Sequence, residues 1–226
     1  MKKTLLALAV AGALVPSLVM AEAGDIVVRV RATDVAPDTS SKLGSQSASI
    51  GVNPSTTYGS AGATLEVGNN TIPEIDFSYY ITKNIAAELI LATGTRHDVS
   101  ISGVGGASAN HNLGSVNLLP PTLTAQWHFN PDQAIDPYVG AGVSYVRAMD
   151  NGLNYGGVNP ITISRNSFGP AIQAGVDYNL PDSKWLVNFD VKKIWFDTDV
   201  TLVGVGKIDN LSVDPWVVSV GFGRKF

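Results

Sequence analysis

The chain ends in the stretch WVVSVGFGRKF, residues 216–226. Large apolar side chains occupy every second position from Trp216 to Phe222, and mostly small side chains occupy the positions between them. Because successive side chains of a β-strand point to opposite faces, this stretch predicts a strand with large apolar side chains on one face and small side chains on the other. The same alternation recurs in residues 122–129 and 166–180.

Extending this pattern along the chain predicts eight strands, at residues 25–33, 71–81, 85–95, 118–130, 136–149, 166–180, 185–201 and 210–226. The connections between the strands alternate strictly between two classes. Short, polar ones lie at 82–84, 131–135 and 181–184, and long or Gly/Ser/Asn-rich ones at 34–70, 96–117, 151–165 and 202–209. Outer-membrane barrels have short periplasmic turns and longer extracellular loops. The sequence therefore predicts an all-β fold, an eight-stranded antiparallel transmembrane β-barrel.

A soluble lipid-binding barrel would show the same alternation, so the position of the aromatic residues decides between the two. Near the short turns the apolar face carries a predicted membrane-interface girdle: Tyr79, Trp127, Phe129, Tyr178 and Trp185. The opposite face carries Ser, Gly, Gln, Asn and charged residues, which would make a poor interior for a soluble lipid-binding cup. This polarity favours the membrane barrel.

The N-terminus predicts export. Met1-Lys2-Lys3 precedes the apolar run 4–15, and Val19-Met20-Ala21 follows with a small residue at its end. This is the pattern of a secretory signal peptide, with cleavage expected after Ala21. A transmembrane anchor would need about 20 apolar residues, more than this run offers. We expect residues 1–21 to be removed and residues 22–226 to form a single barrel domain in the bacterial outer membrane.

Charge and composition exclude several functions. Loss of Lys2 and Lys3 lowers the basic count from 15 to 13 against 19 acidic residues, so the mature chain carries a net charge of -6. Nucleic-acid binding calls for a basic patch, so we expect no nucleic-acid partner. The chain has no cysteine, which excludes disulfides and thiol chemistry.

The alternation of side chains between the two faces of each strand, which we call parity, places many polar side chains inside the barrel. They are Arg29, Arg31, Glu74, Asp76, Glu88, Gln126, His128, Asp177, Asn188, Asp190 and Lys192. Those nearest the short turns form a predicted lumen-floor network of Arg29, Glu88, Gln126, His128, Asp177, Asn188 and Asp190. The interior of an eight-stranded barrel is just wide enough for side chains to fill. An unpaired buried charge is costly, so we expect these groups to pair into a plug rather than to line an aqueous pore or perform catalysis.

Higher in the lumen, parity turns the apolar side chains of Ile90, Leu118 and Pro120 inward. These residues suit either capture of a small hydrophobic molecule or ordinary filling of a narrow barrel, and the pattern leaves both open. Pro120, Pro121 and Pro170 fall within predicted strands, where each removes a ladder donor. Since a closed barrel has no edge, the three prolines are candidates for a lateral opening in the wall.

Catalytic and metal-binding patterns are weak. His97 lies near Ser100 and Ser102, but no carboxylate stands at an orienting position, and no His-Glu-x-x-His or Cys/His cluster occurs. We expect no enzyme activity, no catalytic residue, no metal and no cofactor.

Seven segments of the chain match the pattern of one known family: residues 22–25 with Arg29, 84–85 with 88–89 and 92–93, 119–123 with 125–127, 137–143, 173–178, 185–188 and 214–217. Each segment alone is unspecific, but seven in the right order are a strong match. On these segments, the sequence resembles the OmpW/AlkL family of small outer-membrane β-barrel proteins.

The resemblance implies uptake of small hydrophobic molecules, through an apolar channel that leads from the extracellular loops to a lateral opening above a closed periplasmic end. It places Ile90 and Phe168 at the lumen constriction, although parity alone turns Phe168 toward lipid. Phe222 and Phe226 fit an assembly signal, whereas Arg224 departs from the usual pattern. The expected partners are outer-membrane lipid and lipopolysaccharide, small hydrophobic solutes and the outer-membrane assembly machinery.

The long connections 34–70 and 96–117 carry apolar residues that could shelter a solute from lipopolysaccharide: Leu43, Ile50, Tyr58, Leu65, Val104 and Leu113. Two other functions remain open on the sequence. One is a structural or surface-interaction barrel that displays its loops to phage, bacteriocins or a host. The other is a narrow channel for polar solutes or ions.

Overall fold

The computed structural model describes residues 22–93, 95–103, 111–155 and 159–226; the predicted signal peptide and Val104 lie outside them. These residues form the elements β1 Ile26–Ala36, α1 Leu43–Ser49, α2 Pro54–Thr57, β2 Thr64–Val67, β3 Asn70–Tyr80, β4 Ile85–Ala92, β5 Thr95–Ser102, β6 His111–Leu119, β7 Thr122–His128, β8 Ile135–Ala148, β9 Gly152–Tyr155, β10 Asn159–Ile163, β11 Asn166–Asn179, β12 Trp185–Ile194, β13 Asp197–Leu202, β14 Gly206–Ser212 and β15 Trp216–Lys225. Within the described part of the chain, no helix is long and apolar enough to cross a membrane.

Eight of the strands close into an antiparallel barrel, in the order β1, β3, β4, β7, β8, β11, β12 and β15. The ring closes where β15 pairs with β1, from Ala36↔Trp216 to Val27↔Lys225. The predicted eight-stranded barrel is therefore confirmed. The predicted strand ends are wrong at two places, because the predicted strands 185–201 and 210–226 each span two elements that belong to different sheets.

Hydrogen-bonding side chains close the short turns at the periplasmic end. The hydroxyl of Thr82 accepts from the backbone N–H groups of Asn84 at 3.3 Å and Ile85 at 3.0 Å. In the turn between β11 and β12, Asp182 adopts φ 55°, and the hydroxyl of Ser183 accepts from Trp185 N at 2.9 Å. Asp tolerates this left-handed conformation better than most side chains.

The long connections extend the barrel on the extracellular side. Strands β2, β5 and β6 continue the barrel sheet, while β9, β10, β13 and β14 form a second sheet of four strands. Much of what the sequence presented as loops is therefore strand. The apolar residues expected to shelter a solute turn mostly inward, since Leu43, Tyr58, Leu65 and Leu113 are buried in one core cluster. Ile50 differs and is 43% exposed.

The two faces of the barrel wall differ as parity predicts. Apolar side chains cover the outside, and the residues named as the girdle, Tyr79, Trp127, Phe129, Tyr178 and Trp185, are all exposed there together with Phe222 and Phe226. Inside, glycine on β15 makes room for charged groups. A Cβ atom on Gly223 would lie 2.8 Å from Cγ of Arg29, and one on Gly221 would lie 2.8 Å from Cγ of Arg31. The small face of the C-terminal strand is therefore what allows arginine into so narrow a lumen.

Candidate functional site

Arg29 is the centre of a polar layer that we call the floor, formed by Arg29, Arg31, Asp76, Glu88, Asp177, Asn188 and Asp190 with their partners. The Arg29 guanidinium is fully buried and donates from Nη1 to Asp76 Oδ1 at 3.0 Å and to Ser78 Oγ at 2.7 Å. Its Nε donates to Asp177 Oδ1 at 3.2 Å from the opposite side of the lumen. The β1–β3 register places Arg29 directly opposite Asp76, which explains the first contact.

Arg31 repeats this arrangement one pleat nearer the extracellular side. Its Nε donates to Glu74 Oε1 at 2.7 Å, and its Nη1 donates to Asn188 Oδ1 at 3.2 Å. Glu88 lies 3.6 Å from Arg31 Nη2 and accepts from Gln173 Nε2 at 2.8 Å. These contacts link β1, β3, β4, β11 and β12 across the lumen.

The remaining floor contacts join β8 to β12. The Tyr138 hydroxyl donates to Asp190 Oδ2 at 2.9 Å and accepts from Asn188 Nδ2 at 3.1 Å. Lys192 Nζ donates to Asp190 Oδ1 at 3.2 Å. Gly175 leaves the space that the Tyr138 ring occupies, because a Cβ there would lie 2.4 Å from the ring.

A second polar group lies below the floor, nearest the periplasm. His128 Nδ1 lies 2.7 Å from Asp136 Oδ2, and the Tyr80 hydroxyl lies 3.2 Å from the same nitrogen. Gln126 Oε1 lies 3.2 Å from His128 Nε2. A small apolar cluster that includes Tyr80 and Leu186 closes the same end. The periplasmic half of the lumen is therefore filled with side chains.

Sequence reasoning did not name several members of these groups, among them Ser78, Tyr80, Asp136, Tyr138 and Gln173. The pattern that would have found them was available, because Tyr80 shares its strand face with Asp76, and Tyr138 shares its face with Asp136. The two tyrosines were overlooked because aromatic residues were expected on the lipid side.

Above the floor lie two adjoining cavities, which we call the chamber. The first is lined by Ile90, Leu118 and Pro120 among other residues. The second lies within the extracellular extension. The two adjoin, since both are lined by Val67, Leu118, Val146, Phe196 and Val213. Among the polar residues on the wall of the first cavity are Glu74, His97 and Lys192.

Among the described residues, no strand pairing reaches Pro120 from the β4 side of the barrel wall beside the chamber. The β4–β7 ladder ends at Ile90↔Thr122, and the β5–β6 ladder begins at Thr95↔Leu118. Pro120 has no N–H, and its carbonyl accepts from the Thr122 hydroxyl at 3.2 Å instead of from a neighbouring strand. The next carbonyl, of Pro121, accepts from Tyr145 N at 2.9 Å, so this segment stays attached to β8. The unpaired side therefore faces β4.

Pro170, the third candidate for a lateral opening, is paired on its β8 side and lies beside the end of the β11–β12 ladder. The β8–β11 ladder runs without interruption through Pro170↔Val143. On its other side the Pro170 carbonyl accepts from Trp195 N at 3.1 Å. In an antiparallel strand, the N–H and C=O groups of one residue point toward the same neighbouring strand. The N–H that Pro170 lacks would therefore point toward the end of β12, just beyond the last β11–β12 pair, Ala171↔Ile194.

Phe168 differs from the prediction that it lines the lumen. Its side chain is 70% exposed on the outer face, where its ring lies 4.7 Å from the Tyr145 ring between centroids. No bulge interrupts β11 near this residue, so the simple alternation of the strand determines its direction.

His97 makes a structural hydrogen bond to the backbone of the β2–β3 connection. Its Nδ1 lies 2.7 Å from the Gly68 carbonyl oxygen, which can only accept, so Nδ1 carries the proton. Across residues 22–93, 95–103, 111–155 and 159–226, no group of His, Asp and Glu side chains could hold a metal ion.

Comparisons with known proteins agree with this architecture. The model of the OmpW family matches residues 22–226. Outer membrane protein W of Escherichia coli (strain K12) is 36% identical over 232 residues, covering 100% of this chain and 99% of that protein. Outer membrane protein AlkL of Ectopseudomonas oleovorans is 32% identical over 166 residues, covering 73% and 70%. The crystal structure of outer membrane protein OprG from Pseudomonas aeruginosa superposes with a TM-score of 0.76 at 29% identity, covering 93% of this chain and 99% of that one.

Proposed function

Because this chain belongs to the OmpW family of outer-membrane barrels, we propose that it takes up small hydrophobic molecules, holding them in the chamber and releasing them sideways into the membrane. The observation that carries this proposal is the coincidence of three features: a closed polar floor, an apolar chamber above it, and unpaired wall at Pro120 beside that chamber. Ile90 and Leu118 contact the chamber at the same level as the gap.

The floor makes straight passage unfavourable for an apolar solute. Such a solute would have to separate buried pairs such as Arg29–Asp177 and Arg31–Glu74, and it offers no group to replace the lost contacts. Leaving one partner of a buried ion pair alone costs about 3–5 kcal/mol. The path of lower free energy for an apolar solute therefore avoids the floor.

The wall at Pro120 provides an alternative path. Backbone groups that are unpaired within a bilayer are costly unless they face a cavity or polar groups, and those near Pro120 adjoin the chamber. Separating the wall here breaks few ladder hydrogen bonds, because Pro120 contributes none toward β4. Outside the wall lies hydrocarbon, in which an apolar solute is stable.

Two contacts with other molecules belong to the same proposal. The extracellular extension lifts the chamber entrance above the membrane, where lipopolysaccharide presents its polar layer. Phe222 and Phe226 lie exposed on the outer face of the last strand, which supports their recognition by the outer-membrane assembly machinery.

The proposal is tested by uptake of a hydrophobic fluorescent tracer into cells that lack the chromosomal copy and express defined variants. Pro120→Val restores a donor toward β4, and we expect tracer uptake to fall severalfold. Pro170→Val is the matched control, because Pro170 is paired with β8 and its carbonyl already accepts from Trp195 N, and its uptake should equal that of the unchanged protein.

Ile90→Trp provides a second arm, since it places a larger side chain in the chamber, and it should also reduce uptake. Surface amounts of each folded variant are measured in parallel. Equal uptake with and without the protein would overturn the proposal, and so would full activity of both Pro120→Val and Ile90→Trp.

A further inference from the structure

The chamber is not uniformly apolar, because two charged side chains line it where it meets the floor. Glu74 and Lys192 both contribute to the wall of the first cavity and are 5% and 2% exposed. Glu74 lies on β3 and Lys192 on β12, two barrel strands separated by β1 and β15. A solute resting on the base of the chamber would therefore meet both groups.

Each of these groups has hydrogen-bonding capacity that protein contacts do not use. Lys192 carries three N–H donors, and toward the described residues it makes one hydrogen bond, to Asp190 Oδ1 at 3.2 Å. Glu74 accepts from Arg31 through Oε1, and no described side chain donates to its Oε2. An apolar solute that covers these groups removes them from water without a hydrogen-bonding partner, so a solute that supplies partners is favoured over one that does not.

We propose that the chamber selects neutral amphiphiles with a single oxygen-bearing head, such as an alcohol or a phenol, and seats that head between Glu74 and Lys192. A hydroxyl group donates to the carboxylate and accepts from the ammonium, so it satisfies both. An unsubstituted hydrocarbon satisfies neither. This inference names the solute class for the uptake proposed above and rests on that proposal.

The local charge balance excludes the charged analogues of such a solute. Among the described residues from the level of Asp177 to that of Lys192, five buried carboxylates (Glu74, Asp76, Glu88, Asp177 and Asp190) face three buried cations (Arg29, Arg31 and Lys192). A fatty-acid carboxylate could reach Lys192 but would add a sixth negative charge beside Glu74. An alkylammonium head could reach Glu74 but would meet Lys192 and Arg31. Like charges at short range in such a site are strongly unfavourable.

The test measures binding of n-octane, 1-octanol and octanoate to the full mature chain in lipid nanodiscs. The readout is the ¹³C-methyl NMR shift of Ile90, which lines the chamber. The methyl groups of Val143, on the lipid face of β8, report simple partitioning into lipid. We expect saturable shifts at Ile90, with 1-octanol binding at least tenfold more tightly than the other two.

Three variants locate the head group. Glu74→Gln keeps the side-chain shape and removes one negative charge, so octanoate should bind at least tenfold more tightly than it does to the unchanged chain. Lys192→Met removes the donors and should abolish the preference for 1-octanol over n-octane. His97→Leu replaces a third polar side chain of the same cavity wall, one whose Nδ1 is already bonded to the Gly68 carbonyl, and should leave the preference unchanged.

The outcomes separate this inference from the proposed function. Equal binding of all three ligands at Ile90, or loss of the preference in His97→Leu alone, would overturn the selection for a neutral head while leaving hydrophobic uptake in place. An octanoate affinity unchanged in Glu74→Gln would overturn the charge argument. Absence of any saturable shift at Ile90 would contradict the proposed function itself.

Discussion

The two halves of the lumen are built from the same eight strands, yet they differ in what fills them. In the floor, charged and aromatic side chains such as Arg29, Asp177 and Tyr138 are buried and joined by hydrogen bonds. In the chamber, Ile90, Val146 and the extracellular extension leave open space between apolar walls. A barrel of this size can therefore be a plug at one end and a container at the other, depending on side-chain length and polarity alone.

Removing the centre of the floor should have the largest effect. Arg29→Met leaves Asp177 buried without its cation and removes one of the two arginines paired with Asp76, and we expect a loss of about 3–5 kcal/mol in the free energy of unfolding. Denaturant unfolding in lipid vesicles measures it. The exposed Arg96, which donates to Ser115 Oγ at 2.6 Å, is the control, and Arg96→Met should change the value by less than about 0.5 kcal/mol. A small loss in Arg29→Met would mean that the floor is not a connected network.

Filling the space that admits Tyr138 should have a smaller effect. A Cβ on Gly175 would lie 2.4 Å from the Tyr138 ring, so Gly175→Ala must displace the tyrosine from Asp190 and Asn188. We expect a destabilisation of about 1–3 kcal/mol, typical of overpacking. Gly152→Ala, where nothing lies within 4 Å of the added Cβ, should be close to neutral in the same measurement. Equal effects would show that the position of Tyr138 does not depend on Gly175.

A single hydroxyl in the chamber should affect uptake rather than stability. Val146 contacts both cavities, whereas Val143 on the same strand faces lipid and is 56% exposed. Val146→Thr keeps the side-chain volume but adds a polar atom that an apolar solute must cover, and we expect tracer uptake to fall about three- to tenfold. Val143→Thr should leave uptake unchanged. The opposite result for the two variants would place the solute outside the barrel.

The smallest effect is expected at Phe168. Because its side chain lies on the outer face, Phe168→Val should leave tracer uptake within the error of the assay. A reduction as large as that of Val146→Thr would indicate that Phe168 turns into the lumen in the working protein.

The sequence was sufficient for the barrel and for the assignment to the family and the outer membrane, and these predictions are confirmed. Strict alternation assigns each barrel residue to one face, which is why Arg29, Glu88 and Asp177 are buried where parity places them. The alternation was not followed at Phe168, which the resemblance placed in the lumen, or at Tyr80 and Tyr138, which were overlooked because they are aromatic.

The chamber could not be predicted in the same way, because its upper walls come from segments without simple alternation. Leu43 lies on a short helix within a Ser- and Gly-rich stretch, and Leu65 lies on a strand of only four residues.

The positions of the prolines alone could not predict where the barrel wall is unpaired. Pro120 and Pro170 look alike in sequence, and only the structure shows that the Pro120 carbonyl accepts from the Thr122 hydroxyl of its own segment, whereas the Pro170 carbonyl accepts from Trp195 N across the wall.

The central claim is that an apolar solute enters the chamber and never crosses the floor. Photolabelling tests it most directly, using an octanol-like tracer that carries a diazirine, added to the protein in lipid and mapped by mass spectrometry. We expect adducts on Ile90, Leu118 and Val146 and on the wall at Pro120. Adducts on Arg29, Asp177 or His128 would place the tracer in the floor or below it and would contradict the claim.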